Sequence, residues 1–195
     1  MTGARISPST ARRPAWFIRY SSRNYSYAYD LYVWGLPGDR PLTADFDGDG
    51  RADLVIWRPA TGEWFVRYSS RNYSYAYDLY QLGQAGDQPL AADFDGDGKT
   101  DLAIYRPSDA SWRVRYSAAA YAAASEATYQ WGLAGDIPVI ADFDDDRRAD
   151  LVVYRPTTGE WFVRYSTRAF SYDFGQLQWG LPADVPVVPS PLPSR

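Results

Sequence analysis

Short apolar runs separated by turn residues recur along the chain. In the clearest stretch they predict four strands in succession: Leu90 to Phe94, Leu102 to Tyr105, Trp112 to Tyr116 and Thr128 to Trp131. The second run, Leu102-Ala103-Ile104-Tyr105, is apolar at every position, as a strand covered on both faces must be. Leu54 to Trp57 and Leu151 to Tyr154 read the same way, and all three are closed by Arg-Pro. The third run alternates instead: Trp64, Val66 and Tyr68 fall on one face, Phe65 and Arg67 on the other.

The runs repeat in a fixed frame. Trp16, Trp64, Trp112 and Trp161 each open a strand, at spacings of 48, 48 and 49, and Pro41, Pro89, Pro138 and Pro186 keep nearly the same period. Arg19 to Tyr32 is identical to Arg67 to Tyr80. The chain therefore reads as four tandem units, 16–63, 64–111, 112–160 and 161–188, followed by a Pro/Ser-rich tail at 189–195. Four short strands per unit predict an all-β fold, a β-propeller of four-stranded antiparallel blades forming one domain over 1–195.

Between the first two strands of a unit lies an aspartate ladder, written three times: DFDGDGRAD from Asp45, DFDGDGKTD from Asp93 and DFDDDRRAD from Asp142. Carboxylates at positions 1, 3, 5 and 9 of one turn repel each other unless a cation cancels the charge. Calcium fits best, because it takes six to eight oxygen ligands in a flexible sphere. The candidate ligands are Asp45, Asp47, Asp49 and Asp53 with the carbonyl of Arg51; Asp93, Asp95, Asp97 and Asp101 with Lys99; and Asp142, Asp144, Asp146 and Asp150 with Arg148. The chain has no His or Cys, so ordinary zinc, copper and iron-sulfur sites are excluded. An EF-hand is excluded as well: its twelfth position needs a bidentate Glu, where this chain has Ile56, Ile104 and Val153, and the flanks are strands. Asp145 and Arg147 replace glycines in the third loop, so that site is expected to be the weakest of the three.

The consensus GDxPLxADFDGDGxxDLxIYRPxxGxWxVRYS, seen from Gly86 to Ser117, resembles the FG-GAP or VCBS-type repeat of bacterial secreted proteins and integrin α-chain propellers. The resemblance covers nearly the whole chain. It implies a propeller, calcium in the loop joining the first two strands of a blade, and a role in adhesion or ligand binding. Such propellers commonly have seven blades, and this chain holds at most four. It opens at a third strand, Trp16, and finishes at a first strand, Val185 to Val188. With Arg5 to Ser9 as a second strand, the two ends would complete one shared blade. A fragment of a larger propeller, or a ring assembled from several copies, fits the same text.

Partitioning the charge sharpens the metal reading. The net charge of −4 hides thirteen acids inside the three loops, leaving eleven against twenty Lys and Arg, a surplus of +9. The arginines are spread once per repeat rather than pooled, which argues against nucleic acid. No run of 18 apolar residues exists, so no helical membrane insertion is expected. Carboxylate-rich calcium loops suit millimolar calcium, so a secreted or cell-surface location is expected. Met1 to Arg5 has no apolar segment of the signal-peptide kind, which points to a signal already removed or to a piece of a longer exported protein.

Two further features invite function. Tyrosines interleaved with Ser and Asn, among them Tyr25, Tyr27, Tyr73 and Tyr75, have the composition of a recognition surface that stacks on sugars or cations; a plain blade edge explains them too. Arg19, Arg67, Arg115 and Arg164 could ring an anionic polymer, or cover aromatic neighbours and pair within the scaffold; Arg58, Arg106 and Arg155 read as structural. Without His or Cys there is no triad or imidazole base, and the repeated Glu63 and Glu160 sit in equivalent turns. The sequence thus predicts a calcium-stabilised, non-catalytic extracellular module binding carbohydrate or protein. The alternatives are a purely structural scaffold and a polysaccharide-active enzyme.

Overall fold

The computed structural model describes residues 13–187, and its fold is all-β. The chain divides into a first unit ending at Asp39 and a second beginning at Arg40. In the first, β1 (Ala15–Ile18) pairs antiparallel with β2 (Asp30–Val33), with Trp16 opposite Tyr32. In the second, three four-stranded antiparallel sheets follow one another, each in simple meander order. They are β3 (Arg40–Ala44), β4 (Asp53–Arg58), β5 (Glu63–Arg67) and β6 (Asp78–Gln81); then β7 (Gln88–Ala92), β8 (Asp101–Arg106), β9 (Ser111–Arg115) and β10 (Ala127–Gln130); then β11 (Ile137–Ala141), β12 (Asp150–Arg155), β13 (Glu160–Arg164) and β14 (Phe174–Gln178). The sheets thus span 40–81, 88–130 and 137–178, offset by half a repeat from the Trp-to-Trp unit.

The expected four-strand pattern is present, with shifted ends. The first strand of the middle sheet stops at Ala92 because Asp93 and Phe94 belong to the loop, where the Phe94 N–H donates to Asp101 Oδ2 at 2.8 Å. The third strand stops at Arg115 because Tyr116 opens a 3-10 turn at Ser117–Ala119. Val185 to Val187 form no strand: both valines are largely exposed, and no strand among the described residues pairs with them. Val188 and Arg5 to Ser9 lie outside the described residues. Among those residues the first sheet has two strands, and no closed ring of sheets is formed.

The second strands are buried throughout, as their uninterrupted apolar text requires. One cluster joins Val55, Trp57, Trp64 and Val66 to Leu102 and Ile104 of the following sheet. The next joins Ala103, Tyr105, Trp112 and Val114 to Leu151 and Val153. An aromatic side chain strengthens each junction. After the third strand the chain makes a 3-10 turn and two left-handed residues, Ala120-Tyr121 or Ala169-Phe170. This turn sends Tyr121 against Tyr80 (ring centroids 4.6 Å apart) and Phe170 against Tyr129 (5.0 Å), both on the preceding sheet. Within a sheet, Gly62 (φ 72°) brings the β4–β5 turn so close to the end of the fourth strand that a Cβ there would overlap Gly83 O.

Two of the Arg-Pro arginines bolt a sheet to the turn that enters it. Arg106 makes two bonds to Asp87, both 2.8 Å, and Arg155 makes two to Asp136, at 3.0 and 2.9 Å. The same aspartates accept the N–H of Gln84 and Leu133, shaping the Gly-Asp turns. Asp87 is buried, so its removal leaves an unpaired guanidinium in a poorly solvated site. Asp87→Ala should therefore cost about 3 kcal/mol in urea unfolding, whereas Asp173→Ala, at the exposed pair with Arg168, should change stability little. Equal effects of the two would show that the buried pair is not a structural bolt.

Candidate metal centre

The three acidic loops join β3 to β4, β7 to β8 and β11 to β12, at equivalent places in the three sheets. Their backbone folds inward onto the carboxylates. In the first, Asp45 Oδ1 accepts the N–H of Gly48 at 2.7 Å and Asp45 Oδ2 that of Gly50 at 2.8 Å. Asp93 repeats this with Gly96 and Gly98, at 2.6 and 2.9 Å, and Asp142 Oδ2 accepts from Arg147 at 2.8 Å. The two glycines of each of the first two loops have φ of 78–83°. Asp145 (φ 62°) and Arg147 (φ 68°) are forced into the same region in the third loop, a cost of roughly 1 kcal/mol each.

This folding brings carboxylates together. Oxygens of Asp45, Asp47 and Asp53 lie within 4.8 Å of one another, as do those of Asp93, Asp95 and Asp101, and those of Asp142, Asp144 and Asp146. Asp49 and Asp97 stand apart from these trios: each accepts a backbone N–H two residues on, from Arg51 or Lys99, at 2.8 Å. Asp150 is held like Asp53 and Asp101, between two N–H groups. Each pair of charges at such a separation repels by about 3 kcal/mol at an effective dielectric constant near 20. Loop N–H groups offset part of this, and a hard cation would offset the rest. The donor set is all oxygen, in keeping with calcium.

The ninth-position aspartates carry the strongest electrostatic signature. Asp53, Asp101 and Asp150 are each 0% exposed. Burial, reinforced by neighbouring loop carboxylates, pushes Asp53 and Asp101 up to about 7, against the lowering effect of two backbone N–H bonds; burial raises Asp150 as well. Those bonds come from two directions. Asp53 accepts from Phe46 within the loop and from Ser69 beyond the third strand, both at 2.8 Å. Ser117 and Ser166 take the place of Ser69 in the next two sheets.

These serines are functional residues that reasoning from the loops alone misses. Their hydroxyls also reach the ladder: Ser69 to Asp49 at 2.7 Å, Ser117 to Asp97 at 2.6 Å and Ser166 to Asp146 at 2.7 Å. Ser70 and Thr167 bond Asp47 and Asp144. The signal was present in the repeated Arg-Tyr-Ser that ends every copy of the consensus. The first two loops are also tied to the next sheet, since the Thr100 N–H donates to Asp45 O at 2.8 Å and the Ala149 N–H to Asp93 O at 2.7 Å.

The other candidates separate cleanly. Tyr27 and Tyr75 are 93% and 85% exposed, each with an arginine over its ring, Arg19 at 5.1 Å and Arg67 at 5.0 Å. Tyr73 is partly buried, and its hydroxyl donates to Ala52 O at 2.9 Å. Tyr25 occupies the equivalent left-handed position (φ 49°) in the first unit. The once-per-repeat arginines brace the loop that follows: Arg19 bonds Ser26 O and Tyr25 O, Arg67 bonds Ser74 O and Tyr73 O, and Arg164 bonds Ser171 O and Phe170 O. Arg115 pairs with Glu126 instead.

The raised aspartates predict the pH dependence of the protein when free of metal. A carboxyl at about 7 when folded and about 4 when unfolded binds its proton more tightly in the native state, so stability is greatest below about pH 4 for this term and declines until about pH 7. Melting of stripped protein should therefore fall between about pH 5 and about pH 8, and added calcium should flatten or reverse the slope. A stripped protein whose melting temperature rises over that range would contradict the assignment.

Residues 45–104, from the first acidic loop to β8, match the family model described as the FG-GAP-like repeat. No curated protein and no solved structure matches the chain. Over residues 45–104, therefore, the chain is similar to the FG-GAP-like repeat.

Proposed function

We propose that the chain is a calcium-stabilised, non-catalytic extracellular interaction module whose sheets are blades of a β-propeller. The observation that carries the reading is an acidic trio within 4.8 Å in each of the three loops, with a serine beyond the third strand bonded to a ladder aspartate in every sheet and the first two loops bonded through their backbone to the next sheet. Calcium would be held by Asp45, Asp47 and Asp53, by Asp93, Asp95 and Asp101, and by Asp142, Asp144 and Asp146. Its contribution is charge cancellation. With that repulsion removed, the loop locks the first two strands of its blade and the edge of the next.

A non-catalytic role is supported by the way the glutamates are engaged. Glu63 bonds Thr61, Glu126 pairs with Arg115 and Arg113, and Glu160 bonds Gln176. No helix among the described residues is long and apolar enough to cross a membrane. Calcium loops of this kind fit a secreted or cell-surface setting. Tyr27 and Tyr75, both exposed, offer aromatic faces to a carbohydrate or an extracellular protein. A purely structural scaffold is the second reading, favoured by the arginines' use in bracing the chain's own loops.

Removal of calcium should lower the melting temperature by on the order of 10 °C at millimolar metal. Asp95→Ala should remove more of that shift than Asp146→Ala, because strain at Asp145 and Arg147 already weakens the third site. An unchanged melting curve on chelation would sink the metal assignment. A glycan array with Tyr27→Ala and Tyr75→Ala as controls tests the ligand: binding lost in both variants supports the carbohydrate arm, and absence of any glycan or surface-protein binding favours the scaffold.

A further inference from the structure

The third sheet has one face that its two predecessors keep covered. Leu82, Trp131 and Trp179 occupy the same position after the fourth strand, and their exposures are 2%, 9% and 77%. The Trp112 indole N–H donates to Trp131 O at 2.9 Å in a buried bond; Trp161 makes the same bond to Trp179 O at 2.8 Å, but exposed. Leu177 stands where Tyr80 and Tyr129 stand in the earlier sheets. Those two lie under Tyr121 and Phe170 of the following sheet, whereas Leu177 is half exposed. Leu181, two residues after Trp179, is exposed as well. A contiguous apolar face of this kind on an otherwise stacked array marks an interaction surface.

The earlier junctions show what covers such a face: an aromatic at the second of two left-handed residues, projecting from the loop after a third strand. The chain carries two more copies of that device: Asn72-Tyr73, whose tyrosine is partly buried, and one whose aromatic is exposed. Asn24 and Tyr25 repeat the left-handed pair between β1 and β2, and Tyr25 is 63% exposed. We propose that the open face of the β11–β14 sheet receives the β1–β2 hairpin of a second copy of this chain, with Tyr25 seated on Leu177 and Trp179. The two patches differ, so the contact is head-to-tail, and two copies making it reciprocally close on themselves. The inference rests on the blade-stacking reading above and is independent of which ligand the blades bind.

Sedimentation velocity in millimolar calcium, from about 1 to about 100 μM protein, tests it. The wild-type chain should form species of twice 22.0 kDa. Trp179→Glu and Tyr25→Glu should each weaken association at least about tenfold while keeping the calcium-dependent melting shift, which shows that the sheets still fold and stack. Mixing the two variants should restore a dimer weaker than wild type, because each retains one intact partner patch for the other. A dimer that survives Tyr25→Glu would overturn the proposal in favour of face-to-face contact through Trp179. A monomer at every concentration would also overturn it; protection of Trp179 from oxidative labelling in that monomer would assign the covering segment to the same chain. Loss of the calcium melting shift in wild-type protein would instead count against the function proposed above.

Discussion

A fully buried carboxylate at the head of each second strand is the constraint on which the rest depends. Asp53, Asp101 and Asp150 have no solvent to share their charge, so each must be served from within. The N–H at the start of the acidic loop and the N–H beyond the third strand do this, tying three otherwise separate segments of a sheet to one atom group. The loop's remaining carboxylates then crowd against that charge, and the local energy is resolved either by protons or by a cation. An oxygen-only site is thus written into the packing of the sheet.

Stacking of the sheets follows from the same loops. Thr100 and Ala149 donate their N–H groups to the first carbonyl of the preceding loop, and Tyr121 adds a hydroxyl to Phe46 O. Beneath these polar ties, indoles and branched side chains fill the space between sheets. Loop geometry and sheet stacking are therefore coupled, because a distorted loop displaces both its own hairpin and the edge of its neighbour. The arginines work on the remaining connections, Arg106 and Arg155 at the entering turn and Arg67 and Arg164 at the loop after the third strand.

Much of this was legible in the text of the chain. Uniformly apolar second strands, alternating third strands and acidic ladders each state a physical requirement over a few consecutive residues, and all are found where that requirement places them. Strand ends were less legible. Phe94 reads as an apolar strand residue, yet its N–H is claimed by a carboxylate seven residues on. The serines of Arg-Tyr-Ser looked like turn residues, because their role is to reach across the sheet to a loop some twenty residues earlier. Tyr73 looked like part of a recognition surface, and its hydroxyl is spent on the backbone of its own sheet.

The sequence by itself determined the repeat, the strand order within each sheet and the oxygen-only chemistry of the loops, since periodicity and local charge crowding are properties of neighbouring residues. Tertiary structure decided which carboxylates converge. It also decided which tyrosines stay exposed, and that the face bearing Trp179 is left open. Those outcomes turn on burial by residues distant in the chain, and identical stretches of text, such as the two beginning at Arg19 and Arg67, are buried to different degrees.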